Sequence, residues 1–186
     1  MKLISQALQG VYEFEYPRFS DERGGFAKPY HAGSLGEYGL KADFKEFFYS
    51  DSHKDVLRGM HFQLPPHDHG KLIFVTSGAV LDVALDVRKT SPTFGESVSF
   101  ELCADDQRCI YLSSGFAHGF LSLEDNSRIN YLVTSLHSPT HDVGVRWDSF
   151  SFQWPVSSPV ISSRDADFST LEDFGKSYDI DWNTNL

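Results

Sequence analysis

Residues 56–75, VLRGMHFQLPPHDHGKLIFV, bring several groups that hold or move charge into one short, largely apolar stretch. The basic members of this stretch are Arg58, His61, His67, His69 and Lys71. Two kinds of chemistry use such a set. Three imidazoles can bind a transition metal. Alternatively, one histidine can transfer protons while the neighbouring cations bind an anionic substrate.

The metal hypothesis combines His67 and His69 with His118, which lies in the later segment SSGFAHGF. This set resembles the three-histidine arrangement of metal-binding cupins, which are small double-stranded β-helix barrels. Zinc, iron and copper all accept imidazole ligands. The acidic ligand that usually follows the second histidine in such cupins is absent, because the apolar residues Ile73 and Phe74 follow instead. The pattern therefore favours proton transfer over metal binding.

The proton-transfer hypothesis centres on His61. An unperturbed histidine titrates near pH ~6.5, so it can accept and return a proton close to neutrality. A carboxylate bonded to the second ring nitrogen would orient the ring and stabilise its charged form. Lys71 or Arg58 would then stabilise an oxyanion, such as the enolate that forms when a carbon beside a ketone loses a proton.

These groups need strands to position them. A strand over LRGMHFQ places Arg58 and Met60 on one face and His61 on the other, because side chains alternate along a strand. The two prolines that follow end this strand, since proline cannot donate to a ladder. The histidines of HDHG then lie on a turn at the mouth of the site, and Lys71 begins the next strand.

The rest of the chain reads as short apolar runs separated by turn residues, which is typical of an antiparallel sandwich or barrel. LIFVTSGAVLDVALDVR predicts two strands joined at Ser77 and Gly78. In the second strand one face is apolar, and the other carries Asp82 and Asp86, which predicts a wet face or a barrel rim. Further strands are expected at SVSFEL, RCIYL, FAHGFLSL and RINYLVT, and HAGSLGEYG is expected to be a loop or a short helix.

Length and charge limit the function classes. At 186 residues the chain fits one domain, residues 1–186. It has no apolar run of about 18 residues and no signal-peptide core, so we expect a cytoplasmic protein without a membrane partner. Its two cysteines, Cys103 and Cys109, predict free thiols. The net charge of −10 disfavours nucleic acid, while Arg58, Lys71 and Arg88 would attract an acidic metabolite if they converge.

A series of segments forms one further pattern: DERGGF, LRGMHFQLPP, HGKLIFVTSGAVLDVALDVRKTSPTFGE, SSGFAHGFLSL, VGVRWDSFSFQWP and ISSRDADF. Together they resemble the dTDP-4-dehydrorhamnose 3,5-epimerase family over roughly residues 10–168. The resemblance implies an all-β, cupin-like jelly-roll barrel with short peripheral helices. It also implies a homodimer, no metal and no cofactor. The implied reaction is epimerisation of a nucleotide-diphosphate-linked 4-keto-6-deoxy sugar through enolate intermediates.

The resemblance also implies roles for single residues. His61 matches the general base, and Asp165 in SRDA matches its carboxylate partner. Lys71 and Arg58 match substrate-binding residues, with Lys71 close to the C4 oxygen where enolate charge develops. His118 matches the histidine of the AHGF motif.

The remaining implied contacts lie toward the nucleotide and the second subunit. Arg164 falls where the family has a basic residue near the diphosphate, and Arg23 and Phe26 match positions that reach into the partner subunit's site. Tyr131 and Gln63 complete the candidate substrate-binding set. The active site would then depend on dimerisation.

The chain departs from the family pattern at the acid. The family has a tyrosine six residues after the position of Tyr131, and this chain has His137 there. Tyrosine ionises near pH ~10, whereas histidine titrates near neutrality. Three outcomes stay open: inversion at one carbon only, inversion at both carbons through an altered acid, or a changed reaction.

A second departure lies at the nucleotide end. Glu46 and Phe48 replace a glutamine and an asparagine, and Lys28 stands where an acidic residue is usual. A carboxylate accepts the N3 hydrogen of thymine, whereas a lysine can donate to cytosine. CDP is therefore a candidate nucleotide beside dTDP, unless Lys28 points into solvent. A metal-dependent cupin and a non-catalytic sugar-nucleotide binder remain the alternatives to an epimerase, although a mere binder would not need an oriented base.

Overall fold

A computed structural model describes residues 1–178 together with Ile180 and Trp182. Positions 179, 181 and 183–186 of the expected 1–186 domain lie outside the described residues. The strands are β1 Lys2–Leu8, β2 Val11–Glu15, β3 Arg18–Asp21, β4 Gly24–Ala27, β5 Glu46–Ser52, β6 Leu57–Gln63, β7 Lys71–Ser77, β8 Ala79–Asp86, β9 Ser97–Cys103, β10 Arg108–Leu112, β11 Phe116–Ser122, β12 Ser127–Val133 and β13 Asp142–Gly144. The helices are α1 Ala32–Gly36, α2 Ser163–Ala166 and α3 Leu171–Ser177.

Two antiparallel sheets and a hairpin make up the architecture. The larger sheet has the order β1-β2-β10-β7-β12-β5, the smaller has the order β13-β6-β11-β8-β9, and β3 pairs with β4. Apolar side chains from both sheets meet in one buried cluster, for example Ile73 and Ile129 from the first sheet and Phe120 and Leu102 from the second. This arrangement confirms the predicted all-β, cupin-like jelly-roll barrel with short peripheral helices.

The helices in the described part of the chain are too short to cross a membrane with an apolar span. The segment HAGSLGEYG forms the short helix α1, whose N-cap His31 accepts a hydrogen bond from the Ser34 N–H. Cys103 and Cys109 are both free thiols, as the sequence predicts. Burial raises the pKa of the Cys109 thiol to about 12.

Strand β8 is buried on both faces, which the sequence did not predict. Its inward face contributes Val80 and Ala84 to the cluster between the sheets, and Val83 belongs to a second cluster under the C-terminal segments. Asp82 and Asp86 are both fully buried, so the predicted wet or rim face is wrong. The reason is that each carboxylate has a partner inside the protein, which offsets the cost of removing its charge from water.

Arg88 does not join Arg58 and Lys71. Its guanidinium donates to Asp86 at 2.9 Å and 2.7 Å and lies over the Phe116 ring, with 4.5 Å to the ring centroid. The expected convergence of three cations is therefore wrong, because Arg88 neutralises a buried carboxylate. The remaining pair, Arg58 and Lys71, still lies together at the cavity described below.

The residue alternation of β6 is broken at Gly59. His61 pairs with His118 and Arg58 pairs with Phe120, so the pairing register with β11 shifts between Arg58 and His61. Gly59 has φ +139°, and a Cβ there would lie 2.5 Å from the Cα of Gly119. Arg58 and His61 therefore both line one cavity while Met60 packs in the core, so the predicted placement of Arg58 and His61 on opposite faces is wrong.

The buried ion pair predicts a large stability effect. Arg88→Met leaves Asp86 buried without its charged partner, so we expect a loss of about 3–5 kcal/mol in the free energy of unfolding. Urea denaturation measures this loss. Arg128→Met is the matched control, because Arg128 pairs with Asp51 in solvent and its loss should change stability little. Equal, small losses in both variants would contradict the importance assigned to the buried pair.

Candidate active site

A cavity of about 460 Å³ lies between the two sheets. Both sheets and the loop after β12 contribute to its wall. The lining residues are Glu46, Phe48, Ser50, Arg58, His61, Phe62, Gln63, His69, Lys71, His118, Phe120, Tyr131, Val133, His137 and Asp142. The wall combines aromatic and aliphatic side chains with several polar and charged ones, as is usual for small-molecule sites.

Most of the residues predicted from the sequence meet in this cavity. Those that line it are Arg58, His61, Gln63, Lys71, His118, Tyr131 and His137. Asp165 lies directly behind His61. Four predicted residues, Arg23, Phe26, Lys28 and Arg164, do not line it.

His61 is held by a buried carboxylate. Its Nε2 lies 2.9 Å from Asp165 Oδ1, and the Gly59 N–H donates to Asp165 Oδ2 at 3.0 Å. The Phe168 ring packs edge-on against the imidazole at 5.6 Å between centroids. Burial alone would raise the pKa of Asp165, but the hydrogen bonds from His61 and Gly59 hold it below its ordinary value. When Nε2 donates to Asp165, Nδ1 is left with a lone pair and can act as a base.

Two cations flank His61. Lys71 is buried, and its Nζ donates to the His61 carbonyl at 2.9 Å. Burial lowers the pKa of Lys71 to about 8, against the opposing influence of Asp142 and Asp82. The Arg58 guanidinium donates to Ser52 Oγ at 3.1 Å, which holds its side chain at the cavity. This arrangement can stabilise negative charge beside the base.

His118 forms a second, fully enclosed histidine–carboxylate contact. Its Nε2 lies 2.6 Å from Asp82 Oδ2. Burial lowers the pKa of His118 even though Asp82 opposes the effect, so the imidazole is held neutral. Because Tyr131 packs edge-on against it at 5.7 Å between ring centroids, the orientation of His118 is fixed at the cavity wall.

The histidines of the metal hypothesis do not form a ligand set. His67 stacks near His141 at 4.4 Å between centroids and does not line the cavity, whereas His69 and His118 do. The described residues contain no group of three or more His, Cys, Asp or Glu side chains placed to hold a metal ion.

His69 lies in the cavity wall, directly before β7, and is not confined to the mouth of the site as the sequence suggested. Its Nδ1 lies 3.2 Å from Gln63 Nε2 and 3.3 Å from Ser135 Oγ. Burial, together with the charges of Lys71 and His137, lowers the pKa of His69 to about 3. His69 is therefore a neutral polar group in the site.

The side-chain amide of Gln63 is engaged with the protein itself. Its Nε2 donates to the carbonyls of His67 at 2.7 Å and Leu136 at 3.2 Å, and its Oε1 accepts from the Ser138 N–H at 2.6 Å. These bonds fasten the loop after β12 to β6. Gln63 thus positions the segment that carries His137.

His137 occupies the rim of the cavity. Its Nε2 lies 3.3 Å from Asp142 Oδ2, and its backbone N–H donates to Glu46 Oε1 at 3.0 Å. The side chain is 56% exposed, so it also reaches solvent. Sequence reasoning noted Glu46 only as a departure from a family pattern and missed Asp142. The Ser138-Pro139 pair indicates a turn, but nothing in the sequence shows that the turn returns Asp142 to the His137 ring.

Tyr131 and Arg164 have partners within the chain. The Tyr131 ring stacks on Phe48 at 4.9 Å between centroids, and burial raises the Tyr131 pKa, which keeps the phenol neutral. Arg164 donates to Asp142 Oδ2 at 2.9 Å and lies over the Phe168 ring. Arg164 is therefore linked to the cavity through Asp142.

Arg23, Phe26 and Lys28 lie on or next to the β3–β4 hairpin. Arg23 pairs with Asp21 in solvent, and Phe26 is 59% exposed and stacks on the exposed Phe19. None of the three predicted residues lines the cavity.

The amino-acid sequence of the chain is similar to those of one known protein family. A sequence model of the dTDP-4-dehydrorhamnose 3,5-epimerase family matches residues 5–173. A dTDP-4-dehydrorhamnose 3,5-epimerase from Shigella flexneri is 39% identical over 168 residues, which cover 89% of this chain and 93% of the relative.

The fold of the chain is also similar to the solved structures of nucleotide-sugar epimerases. A dTDP-4-dehydrorhamnose 3,5-epimerase from Bacillus anthracis with TDP and PPi bound has a TM-score of 0.88 and 35% identity, covering 91% of this chain and 98% of that one. A 3'-monoepimerase from Streptomyces bikiniensis in complex with dTDP-quinovose has a TM-score of 0.85 and 30% identity, covering 90% of this chain and 86% of that one.

The lowered pKa of Lys71 is measurable without a substrate. In protein labelled with ¹³C at lysine Cε, we expect one resonance to titrate near pH 8 and to vanish in Lys71→Met. The sign follows from burial, which favours the neutral amine, so the ammonium is present below about pH 8 and lost above it. Lys176→Met should leave this resonance unchanged, because Lys176 pairs with Glu172 on the surface. A Lys71 resonance that titrates only near the ordinary value of about 10.4 would contradict the expectation.

Proposed function

The chain belongs to the dTDP-4-dehydrorhamnose 3,5-epimerase family, and on that premise we propose that it inverts C3, C5 or both in a nucleotide-linked 4-keto-6-deoxyhexose. The observation that carries the proposal is the His61–Asp165 pair at the cavity. Lys71 also lines this cavity, and its Nζ donates to the His61 carbonyl. A base held by a carboxylate beside a buried cation is what carbon-acid chemistry requires. The enzyme is an isomerase of deoxysugar biosynthesis.

The first half of the proposed reaction is deprotonation. The C4 ketone acidifies the neighbouring C–H bonds, and His61 Nδ1 accepts one of these protons. The electron pair of the broken C–H bond moves into the enolate, which places negative charge on the C4 oxygen. Lys71 and Arg58 stabilise this charge, and Asp165 stabilises the imidazolium that His61 becomes.

The second half returns a proton to the opposite face of the same carbon. We assign this donation to His137, which lines the cavity where the family has tyrosine. A new C–H bond forms from the enolate electrons, and the C4 ketone is restored. Inversion requires a proton acceptor on one face of the carbon and a proton donor on the other, so a single base would only exchange hydrogen with retention of configuration. His137 comes from the loop after β12 in the larger sheet, whereas His61 lies on β6 in the smaller sheet.

The proposed enzyme is a homodimer whose sites are shared between subunits. The β3–β4 hairpin presents Arg23 and Phe26 to solvent, away from the cavity of its own subunit. Exposed aromatic groups of this kind favour burial against a partner surface. In this proposal residues 1–186 form one cupin-like epimerase domain that works in the cytoplasm, and Arg164 serves the diphosphate.

We further propose that CDP is a candidate nucleotide beside dTDP, with Lys28 as the residue that would discriminate between them. Similar proteins have been solved with TDP or a dTDP-sugar, but Lys28 in this chain can only donate hydrogen bonds. Cytosine offers unprotonated N3 and O2 acceptors, whereas thymine presents an N3 hydrogen that a lysine cannot accept. Lys28 is exposed beside the hairpin, where a base bound across the dimer would meet it.

Deuterium exchange tests the reaction. Proton NMR in deuterated water should show deuterium entering C3 or C5 of CDP- or dTDP-linked 4-keto-6-deoxyglucose, or of the 3-deoxy CDP analogue. His61→Ala should slow this exchange by about 10²-fold or more, because it removes the base. His67→Ala is the matched control and should exchange normally, since His67 does not line the cavity. Exchange that survives in His61→Ala would overturn the assigned base, and no exchange by the unaltered protein with any of these sugars would overturn the reaction.

Equilibrium binding tests the nucleotide. Calorimetry with CDP and dTDP should show CDP binding about tenfold more tightly, because one charge-assisted hydrogen bond is gained. Lys28→Glu should reverse this order, since a carboxylate accepts the thymine N3 hydrogen. Lys89→Glu, a charge reversal at another exposed lysine, should leave the order unchanged. A clear preference of the unaltered protein for dTDP would contradict the assignment of CDP.

A further inference from the structure

We propose that Asp142 is the positioning carboxylate of His137, so that the cavity contains a second proton-transferring histidine–carboxylate pair beside His61 and Asp165. This inference rests on the proposed function and extends it to a residue that the sequence did not single out. The contact is direct, with His137 Nε2 at 3.3 Å from Asp142 Oδ2. Both residues line the cavity.

The backbone holds the two residues at this spacing. The Asp142 N–H donates to the Ser138 carbonyl at 3.0 Å, which closes the turn after His137. Beyond the turn, Asp142 begins β13 and pairs with Gln63 on β6. The Ser138 N–H donates to Gln63 Oε1 at 2.6 Å, and Glu46 Oε1 accepts from the His137 N–H. The segment is therefore anchored on both sides of the histidine.

Several elements place charged and titratable groups around the pair. The charged and titratable groups nearby are Glu46 from β5, His69 and Lys71 at the start of β7, His141 from the turn, Asp142 from β13 and Arg164 from α2. Arg58, His61 and His118 complete the charged and titratable lining of the cavity. Asp142 is the carboxylate in contact with the His137 imidazole, whereas Glu46 accepts from the His137 backbone N–H, and Arg164 shares Asp142 Oδ2 at 2.9 Å.

His69 does not add a competing charge. Burial lowers its pKa to about 3, so it stays neutral beside His137 at any working pH. A second imidazolium at that place would repel the one that donates the proton. The neutral state of His69 therefore suits a donor role for its neighbour.

The proton balance of the step is simple. The His137 imidazolium donates to Asp142 through Nε2 and gives its Nδ1 proton to the enolate carbon. The enolate electron pair forms the new C–H bond, the C4 ketone returns, and His137 is left neutral. Asp142 stays ionised throughout and keeps the ring in the tautomer with hydrogen on Nε2. Since the side chain is 56% exposed, His137 is recharged from solvent.

The test compares product formation with hydrogen exchange. In Asp142→Asn, inversion should fall about tenfold or more, while exchange through His61 stays within about twofold, because deprotonation does not need the second pair. Asp142→Glu should restore much of the inversion. His137→Phe gives the reference for full loss of the donor, and Asp148→Asn controls for removal of an exposed carboxylate.

A second measurement does not require turnover. ¹⁵N NMR of labelled histidine should show neutral His137 with hydrogen on Nε2, and this preference should weaken in Asp142→Asn. An unchanged tautomer together with an unchanged ratio of inversion to exchange would overturn the role of Asp142, even where the His61 chemistry is intact. If the unaltered protein does not exchange the substrate's carbon-bound hydrogens, the proposed function is overturned. The tautomer of His137 would then still show whether Asp142 holds the ring.

Discussion

The arrangement of the site depends on the buried carboxylate of Asp165. One oxygen accepts from His61 and the other from the backbone of Gly59, so a single side chain holds two positions of β6 on either side of the strand irregularity. A buried carboxylate is costly unless each oxygen has a donor, and the two bonds meet that requirement. The same contact ties α2 to the barrel. The orientation of the imidazole and the docking of the C-terminal segment are therefore fixed together.

The barrel itself could be predicted from the sequence because its strands follow simple alternation and are separated by recognisable turns. Alternation gives the wrong exposure in β8. Asp82 and Asp86 fall on the face that alternation assigns to solvent, but both are fully buried. Their partners, His118 and Arg88, are known only once the chain has folded. Alternation also fails at Gly59, where the close approach of Gly119 shifts the register and brings Arg58 and His61 to the same cavity.

The part of the site that could be predicted from the sequence consists of chemically active residues that lie together in one short segment. His61 and Lys71 belong to a short segment whose strand and turn order can be read from the sequence, and both lie in the cavity. Asp142 could not be found in this way, because its contact with His137 arises from a turn and from pairing of β13 with β6. The hairpin residues, such as Phe26, lie outside the cavity, so the fold of the described residues gives them no role in it.

Gln63 connects the two loops at the cavity mouth. One amide group accepts from Ser138 and donates to the carbonyls of His67 and Leu136, so the loop before β7 and the loop after β12 share a single anchor. Substitutions in one loop will therefore alter the mutational tolerance of the other, and their effects will not add. A redesign of either loop therefore has to preserve the backbone group through which that loop bonds to Gln63, or the other loop loses its shared anchor as well.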